Sequence, residues 1–233
     1  MTLSRPAAVI LDLDGTLVDT VQTRIEAWLR TFAEEGIPAD PAFVANLIGS
    51  DGRRLAREAG RVAGMPVDEE RAERIDARSG EIYSELNANP RPLPGVISFL
   101  EALDAAGIPW AIGTSSRREQ VGRSVAALGW TRPITIVDGT AVPLAKPNPA
   151  LLLAAASALE TAPAECWCVG DSKWDIQAAL AAGMPAVIVV AGSALTADQL
   201  RAAGATLVVD TMADLIAILA ATSTPPGARA DAP

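Results

Sequence analysis

The chain has 233 residues, of which 50% are hydrophobic and 20% are charged, and its formal net charge is −9. This length supports a sizeable core, while the acidic balance argues against binding to nucleic acid or to an anionic membrane surface. The sequence contains no histidine, which excludes Ser-His-Asp and Cys-His catalysis and histidine-bound zinc.

The first predicted element is a buried strand over residues 8–13 that ends in two acids. Alternate side chains of an extended strand point the same way, so Asp12 and Asp14 leave the sheet together, and Gly15 permits a sharp turn after them. Ligands of open α/β folds bind at the carboxyl ends of strands. Because two acids there repel each other unless a cation or a shared proton intervenes, the pattern predicts a Mg²⁺ site with carboxylate chemistry.

Residues 20–89 show only helical patterns, which predicts an inserted helical cap. The predicted helices cover residues 21–35, 41–48, 52–63 and 68–86, and hinges are expected near residues 18–20 and 89–94. Arg24 and Arg53 are candidates for binding an anionic substrate, and residues 49–52 are predicted to form a mobile loop. For Arg53 and the arginines that follow it, a solvated helix face is the alternative.

The rest of the chain alternates between apolar strands and helices. Strands are predicted at residues 109–113, 134–137, 166–169, 186–190 and 206–209, and helices at 95–106, 117–128, 149–159, 174–182, 197–203 and 212–220. This rhythm predicts βαβ units around a parallel sheet. The predicted fold class is therefore α/β, with a Rossmann-like parallel core formed by residues 1–19 and 90–222 and an all-helical cap over residues 20–89. Residues 223–233 are predicted to be a disordered tail.

Two signals at later strand ends are weak when taken alone. Thr114, Ser115 and Ser116 form a hydroxyl cluster that could hold phosphate oxygens at a helix N-terminus, with a simple N-cap as the alternative. Lys146 precedes a helix that begins with proline. It could place a positive charge on a phosphoryl oxygen, with a surface lysine as the alternative.

The opening pattern of acids returns after the strand predicted at residues 166–169. Asp171 follows Gly170 at the strand tip and would meet Asp12 and Asp14 if their strands are neighbours. Carboxylate oxygens together with water suit Mg²⁺. Asp175, one turn into the helix, has three interpretations: a metal ligand, a partner that orients Lys146, or a solvated helix residue. The two cysteines of this strand, Cys166 and Cys168, are predicted to be reduced, which fits the cytosol.

Taken in order, these segments resemble the four motifs of the haloacid dehalogenase-like hydrolase superfamily. The segments are residues 12–19, Thr114, Lys146 with Pro147, and residues 170–175. The insert resembles the C1-type helical cap of that superfamily. Residues 174–184 resemble the branch that includes phosphoglycolate phosphatase and β-phosphoglucomutase. One departure is Ala150, which stands where an acid is usual.

The resemblance implies a role for each motif residue. Asp12 would be the nucleophile that forms an aspartyl-phosphate. Asp14 would protonate the leaving oxygen and then activate water, while its backbone carbonyl binds the metal. Thr114 and Lys146 would stabilise the transferring phosphoryl group, so the implied catalytic residues are Asp12, Asp14, Thr114 and Lys146. The implied metal ligands are Asp12, Asp14, Asp171 and Asp175, and the candidate substrate-binding residues are Thr16, Ser115, Ser116, Arg24 and Arg53.

The expected function is a Mg²⁺-dependent phosphatase acting on a small phosphorylated metabolite. A sugar phosphomutase of the same superfamily and a non-catalytic binding protein on the same fold are the alternatives. Arg24, where the mutases have a histidine, and Thr16, which they often lack, favour a hydrolase. The opening residues show no signal-peptide pattern, so a cytoplasmic location is expected. The expected oligomeric state is a monomer or a homodimer.

Overall fold

The structure, a computed structural model, describes residues 3–222, so the tail predicted over residues 223–233 lies outside the described residues. Its six strands are β1 (Ala8–Leu11), β2 (Trp110–Gly113), β3 (Thr135–Val137), β4 (Cys166–Gly170), β5 (Ala186–Val189) and β6 (Leu207–Val209). They form one parallel sheet in the order β3-β2-β1-β4-β5-β6. The predicted Rossmann-like parallel sheet is confirmed. The prediction that β1 extends to residue 13 is wrong, because the backbone turns away from the sheet once Asp12 is reached.

The predicted all-helical cap is confirmed between β1 and β2. Its helices are α1 (Val21–Glu34), α2 (Pro41–Ala45), α3 (Gly52–Val62) and α4 (Glu69–Leu86). They share a core of their own that includes Ile25, Phe32, Val44, Leu55 and Ile75. The two connections to the sheet lie side by side, since the Asp19 amide donates to the Arg91 carbonyl and the Leu93 amide to the Leu17 carbonyl. The cap therefore enters and leaves the core at one place.

The remaining helices cover both faces of the sheet. They are α5 (Val96–Ala105), α6 (Arg118–Ala127), α7 (Ala150–Ala158), α8 (Lys173–Ala181), α9 (Ala197–Ala202) and α10 (Met212–Ala221). Alternate residues of β1 serve the two faces: Val9 and Leu11 pack with α5, α6 and α10, and Ala8 and Ile10 pack with α7, α8 and α9. This two-sided burial explains why the strands are apolar throughout.

Two further features follow from the described residues. Cys166 and Cys168 are both free and buried in β4, as predicted for cysteines of a core strand, and their reduced state stays a prediction. Among residues 3–222, no helix combines the length and the apolar character needed to cross a membrane.

Candidate active site

The strand order brings the predicted site residues to one edge of the sheet. β1 lies between β2 and β4, with Leu11 in register with Ile112 on one side and with Val169 on the other. Asp12, Thr114 and Asp171 each directly follow the last residue of β1, β2 and β4, respectively. This is the point where the strand order reverses, and ligands of doubly wound sheets bind at that point.

Three buried carboxylates cluster at this edge. Asp12, Asp171 and Asp175 each offer an oxygen, and these oxygens all lie within 4.8 Å of one another. Ser172 caps α8 and its backbone N–H donates to Asp175 at 3.0 Å, which holds the Asp175 carboxylate within the cluster. Asp175 is only 1% exposed, so its interpretation as a solvated helix residue is wrong.

Lys146 lies among these carboxylates. Its ammonium donates to Asp12 Oδ1 at 2.6 Å and lies 2.7 Å from Asp175 Oδ1. With a relative exposure of 1%, it is not the surface lysine that was one of its two interpretations. Burial alone would lower the pKa of Lys146, but the neighbouring Asp12 and Asp175 raise it, so the ammonium stays charged. Asp175 thus contacts Lys146 and is also a member of the acidic cluster, so its interpretations as a metal ligand and as the partner of Lys146 both stay predictions.

When all three carboxylates of this cluster are ionised, their charges do not balance within the protein. One ammonium faces three carboxylates. Burial raises the pKa of Asp12 to about 7 although Lys146 lowers it. Burial, with the charges of Asp175 and Asp12, raises the pKa of Asp171 well above its usual value. Hard oxygen donors with uncompensated negative charge fit a divalent metal ion, so the cluster could bind one.

Thr16 and Gly15 shape the surroundings of Asp171. The Thr16 hydroxyl donates to Asp171 Oδ1 at 3.0 Å, and Thr16 is fully buried. Its role in binding substrate stays a prediction, because its observed contact is with Asp171. Gly15 has φ +83°, and a Cβ at this position would lie 2.5 Å from Asp171 Oδ2. Only glycine fits here without displacing the Asp171 carboxylate.

The Asp14 carboxylate lies apart from the acidic cluster and accepts four hydrogen bonds. Oδ1 accepts from the Thr20 hydroxyl at 2.7 Å and the Tyr83 hydroxyl at 2.9 Å. Oδ2 accepts from Arg24 Nη2 at 2.8 Å and the Ser116 hydroxyl at 2.6 Å. Burial alone would raise the pKa of Asp14, but the Arg24 guanidinium, together with the hydroxyls of Ser116 and Thr20, lowers it. Asp14 is therefore ionised in this arrangement.

Three of the residues around Asp14 were missed by sequence reasoning. Thr20 precedes α1, yet its hydroxyl contacts Asp14 rather than capping the helix. Tyr83 lies inside α4, and Gln120 accepts from Arg24 Nη1 at 2.9 Å. The sequence held a signal for Thr20, because a threonine at a helix start, six residues from a site acid, can donate to that acid or cap the helix. Tyr83 and Gln120 had none, because they occupy ordinary positions within helices.

A small cavity opens beside Asp12 and Asp14, between the cap and the sheet edge. Its volume is about 60 Å³, and six of the predicted site residues line it, namely Asp12, Asp14, Arg24, Thr114, Ser115 and Ser116. Thr114 is almost fully buried, and its Oγ1 accepts from the Ser116 amide at 3.2 Å. Arg53 does not line the cavity, because its guanidinium is bound by Asp51 at the start of α3. Its predicted role in substrate binding therefore stays a prediction without a contact in this arrangement.

The fold and the site define an α/β protein in which a helical cap covers an acidic site at the carboxyl edge of a parallel sheet. The sequence matches the family model for haloacid dehalogenase-like hydrolases over residues 9–189. The chain belongs to this family, which confirms both the resemblance and the prediction that the chain is an enzyme of this kind.

Known relatives agree with this assignment. A phosphoglycolate phosphatase of Rhodospirillum rubrum is 31% identical over 217 residues, which cover 90% of this chain and 89% of that protein. The crystal structure of a hydrolase from Pseudomonas syringae superposes with a TM-score of 0.87 at 32% identity, over 92% of this chain and 98% of that one. A β-phosphoglucomutase structure from Clostridium difficile gives a TM-score of 0.78 at 25% identity, over 91% and 93% of the two chains.

Proposed function

We propose that this protein is a Mg²⁺-dependent phosphatase that hydrolyses a small phosphorylated metabolite through an aspartyl-phosphate on Asp12. The observation that carries the proposal is the position of Asp12. Its carboxylate is paired with a buried lysine, belongs to the acidic cluster and lines the cavity beneath the cap. The relative from Rhodospirillum rubrum, named a phosphoglycolate phosphatase, supports the same reaction class.

In the first half of the reaction, Asp12 attacks the phosphorus of the substrate. Lys146 holds Asp12 Oδ1, which leaves the second carboxylate oxygen to form the new bond. The bond from phosphorus to the leaving oxygen breaks, and Asp14, which for this step carries the proton that it accepts from water in the second half of the cycle, gives that proton to the leaving oxygen. The Thr114 hydroxyl, which lines the cavity, and the Lys146 ammonium stabilise the phosphoryl oxygens.

In the second half, a water molecule attacks the phosphorus of the aspartyl-phosphate. Asp14 accepts the proton of that water, inorganic phosphate leaves, and the Asp12 carboxylate is restored. The ionised state of Asp14, set by Arg24 and the surrounding hydroxyls, is the state that this half of the reaction requires. The same residue thus alternates between acid and base.

The side chains of Asp12, Asp171 and Asp175 and the backbone carbonyl of Asp14 would hold the Mg²⁺ ion. When bound, Mg²⁺ neutralises negative charge and so allows a carboxylate to approach a phosphate dianion. The uncompensated charge of the cluster and the raised pKa of Asp171 support this assignment. Asp175 would also keep its contact with Lys146.

The cavity favours a small, anionic substrate. It is only about 60 Å³ in volume, and among the described residues that line it Arg24 alone carries a positive charge. The Arg24 guanidinium has more N–H groups than its contacts with Asp14, Ser116 and Gln120 use, so it can also bind a carboxylate of the substrate. A phosphorylated small acid such as phosphoglycolate fits these features.

The proposal is tested by phosphate release from a panel of phosphorylated metabolites with Mg²⁺ and with a chelator. Steady release from a small phosphorylated acid, lost on chelation, supports it, and no release from any ester contradicts it. A sugar phosphomutase is the second candidate, favoured by the similarity to the β-phosphoglucomutase structure. Interconversion of a sugar 1-phosphate and 6-phosphate without phosphate release would establish that alternative.

The cytoplasmic location and the monomeric or dimeric state remain proposals alongside the function.

Replacing Gly15 with alanine is expected to weaken metal binding. The added Cβ would meet Asp171 Oδ2, and the positive φ adds backbone strain of about 1–2 kcal/mol. Gly36→Ala is the matched control, because Gly36 has φ +66° but no atom within 4 Å of the added Cβ. Thermal unfolding with and without Mg²⁺ measures the effect. The Mg²⁺-dependent rise in Tm should shrink in Gly15→Ala and persist in Gly36→Ala, and equal rises would contradict the role of Asp171.

Replacing Arg24 with methionine is expected to remove the preference for a carboxylated substrate. We expect kcat/KM for phosphoglycolate to fall about 10- to 100-fold further than kcat/KM for ethyl phosphate, which lacks the carboxylate. Comparing the two esters cancels any effect of Arg24 on Asp14, since both substrates need Asp14. Arg53→Met, outside the cavity, should leave the ratio of the two constants unchanged. An unchanged ratio in Arg24→Met would rule out contact between Arg24 and the substrate carboxylate.

A further inference from the structure

The two oxygens of the Asp14 carboxylate have different surroundings. Both donors to Oδ2, Arg24 and Ser116, line the cavity beside Asp12. Neither donor to Oδ1, Thr20 or Tyr83, lines it, and both of these residues are 1% exposed. A substrate that enters the cavity can therefore take the place of the donors at Oδ2 but does not reach those at Oδ1.

From this asymmetry we propose that Tyr83 is a positioning residue, which anchors Asp14 Oδ1 so that Oδ2 faces the leaving oxygen and then the attacking water. The inference rests on the proposed function, because it assigns the acid and base steps to one atom of Asp14. Tyr83 comes from the cap and Asp14 from the strand end, so the hydrogen bond joins the two parts of the molecule. Tyr83 touches neither the cavity nor the reacting atoms, and it acts through Asp14.

The surroundings of Tyr83 hold its hydroxyl in place as a donor. Asn87 Nδ2 donates to the Tyr83 hydroxyl at 2.9 Å, and the Ser124 hydroxyl lies 3.3 Å away on α6. The ring packs with Ala27 and Ile82 within the cap and lies against the Arg24 guanidinium, 3.4 Å from its centre. The phenolic O–H of Tyr83 is thus held as a donor to Asp14 Oδ1.

The anchored oxygen has a second donor from a different element. Thr20 lies at the start of α1, where its hydroxyl would otherwise cap the helix, and it donates to Oδ1 at the shorter distance of 2.7 Å. Two donors on one oxygen define the plane of the carboxylate, which a single donor would leave free to rotate. Removal of the Tyr83 hydroxyl alone should loosen this orientation without freeing the carboxylate entirely.

The test compares two substrates in Tyr83→Phe. Phosphoglycolate loses an alkoxide that needs a proton as it leaves, whereas 4-nitrophenyl phosphate loses a phenolate that does not. The constant kcat/KM covers the steps up to departure of the leaving group, so it isolates the acid step. We expect kcat/KM for phosphoglycolate to fall about 10- to 100-fold and that for 4-nitrophenyl phosphate to stay within about threefold of wild type.

Ser124→Ala is the matched control. It removes a neighbour of the Tyr83 hydroxyl and of Asn87 but leaves the bond from Tyr83 to Asp14 intact. The ratio of the two kcat/KM values should match wild type in Ser124→Ala and fall in Tyr83→Phe. Phenylalanine keeps the ring against Arg24, and thermal unfolding of each variant monitors the fold.

Each other result has a defined meaning. Equal losses on both esters in Tyr83→Phe, or no loss on either, would overturn the positioning role. An equal shift of the ratio in Ser124→Ala would assign the effect to the whole hydroxyl network rather than to Tyr83, and would also overturn it. If wild-type protein releases no phosphate from either ester with Mg²⁺, the proposed function fails instead, and that outcome is distinct from both of the others.

Discussion

Asp12→Asn is expected to abolish phosphate release, with a loss in kcat of at least about 10³-fold, while leaving the fold intact. Asparagine has the shape of aspartate, and its oxygen can still accept from Lys146, but its amide is a poor nucleophile. Phosphate release measured with Mg²⁺ gives the activity, and circular dichroism with thermal unfolding gives the state of the fold. Asp19→Asn is the matched control, because it makes the same chemical change at an exposed position of the same segment.

The stability of Asp12→Asn provides a second readout with a defined sign. Burial raises the pKa of Asp12 from 3.8 to about 7, so the folded protein without metal favours the protonated form more than the unfolded chain does. Ionising Asp12 therefore costs folding free energy, and this cost grows as the pH rises from 3.8 through about 7. Asparagine removes the cost, so the variant should be at least as stable as wild type, with the greater advantage at the higher pH. A folded variant with near-wild-type turnover would remove Asp12 from its assigned role.

Lys146→Met is expected to destabilise the protein by about 3–5 kcal/mol and to remove most of its activity. The substitution leaves the buried carboxylates of Asp12 and Asp175 without the ammonium that now lies within 2.7 Å of both. Urea unfolding of the metal-free protein measures the loss. Mg²⁺ should restore part of the stability, since a divalent cation offsets the same negative charge, whereas the missing contact with the phosphoryl group keeps turnover low.

The neighbouring lysine provides the control for this prediction. Lys173 is partly exposed at the start of α8, with its ammonium near the Trp174 ring, so Lys173→Met should change the free energy of unfolding far less. Equal stability of Lys146→Met and wild type would show that the buried ion pairs do not hold the acidic cluster together. Loss of stability without loss of activity would separate Lys146 from the chemistry.

The acids of the site could be predicted because they follow apolar strands. Parallel strands buried on both faces are apolar throughout, so a carboxylate directly after one marks the edge of the sheet. Asp12 and Asp171 were predicted on that basis, and the observed neighbours β1 and β4 bring them together. The role of Asp175 was harder to predict, because a residue one turn into a helix faces either the site or the solvent, depending on how the helix packs. The Asp175 side chain packs against Gly170, where a Cβ would lie within 2.7 Å of the Asp175 carboxylate. This contact depends on the tertiary packing of the helix and not on the local sequence.

The sequence did not show which cap residues reach the active site. Which face of a cap helix meets the sheet depends on how the cap packs on the core, and that is not encoded in the helical period. Arg24 and Arg53 were both candidates in the sequence, with a solvated helix face as the alternative for Arg53. In the structure Arg24 reaches Asp14, whereas Asp51 binds Arg53 beside it. Tyr83 shows the same limit. Its position in α4 indicates only a buried helix residue, and its contact with Asp14 depends on how the cap packs on the core.

In the proposed reaction, Asp12 carries the phosphoryl group between the two halves. The most direct measurement uses Asp14→Asn, in which hydrolysis of the aspartyl-phosphate should be slowed because the base is missing. The variant is mixed with substrate and Mg²⁺, quenched in acid, digested, and analysed by mass spectrometry. We expect one phosphoryl group on the peptide that contains Asp12. It should be sensitive to hydroxylamine and absent when Asp12 is also replaced by asparagine. Phosphate release from wild-type protein with the label on a different residue, or with no covalent label at any time point, would contradict it.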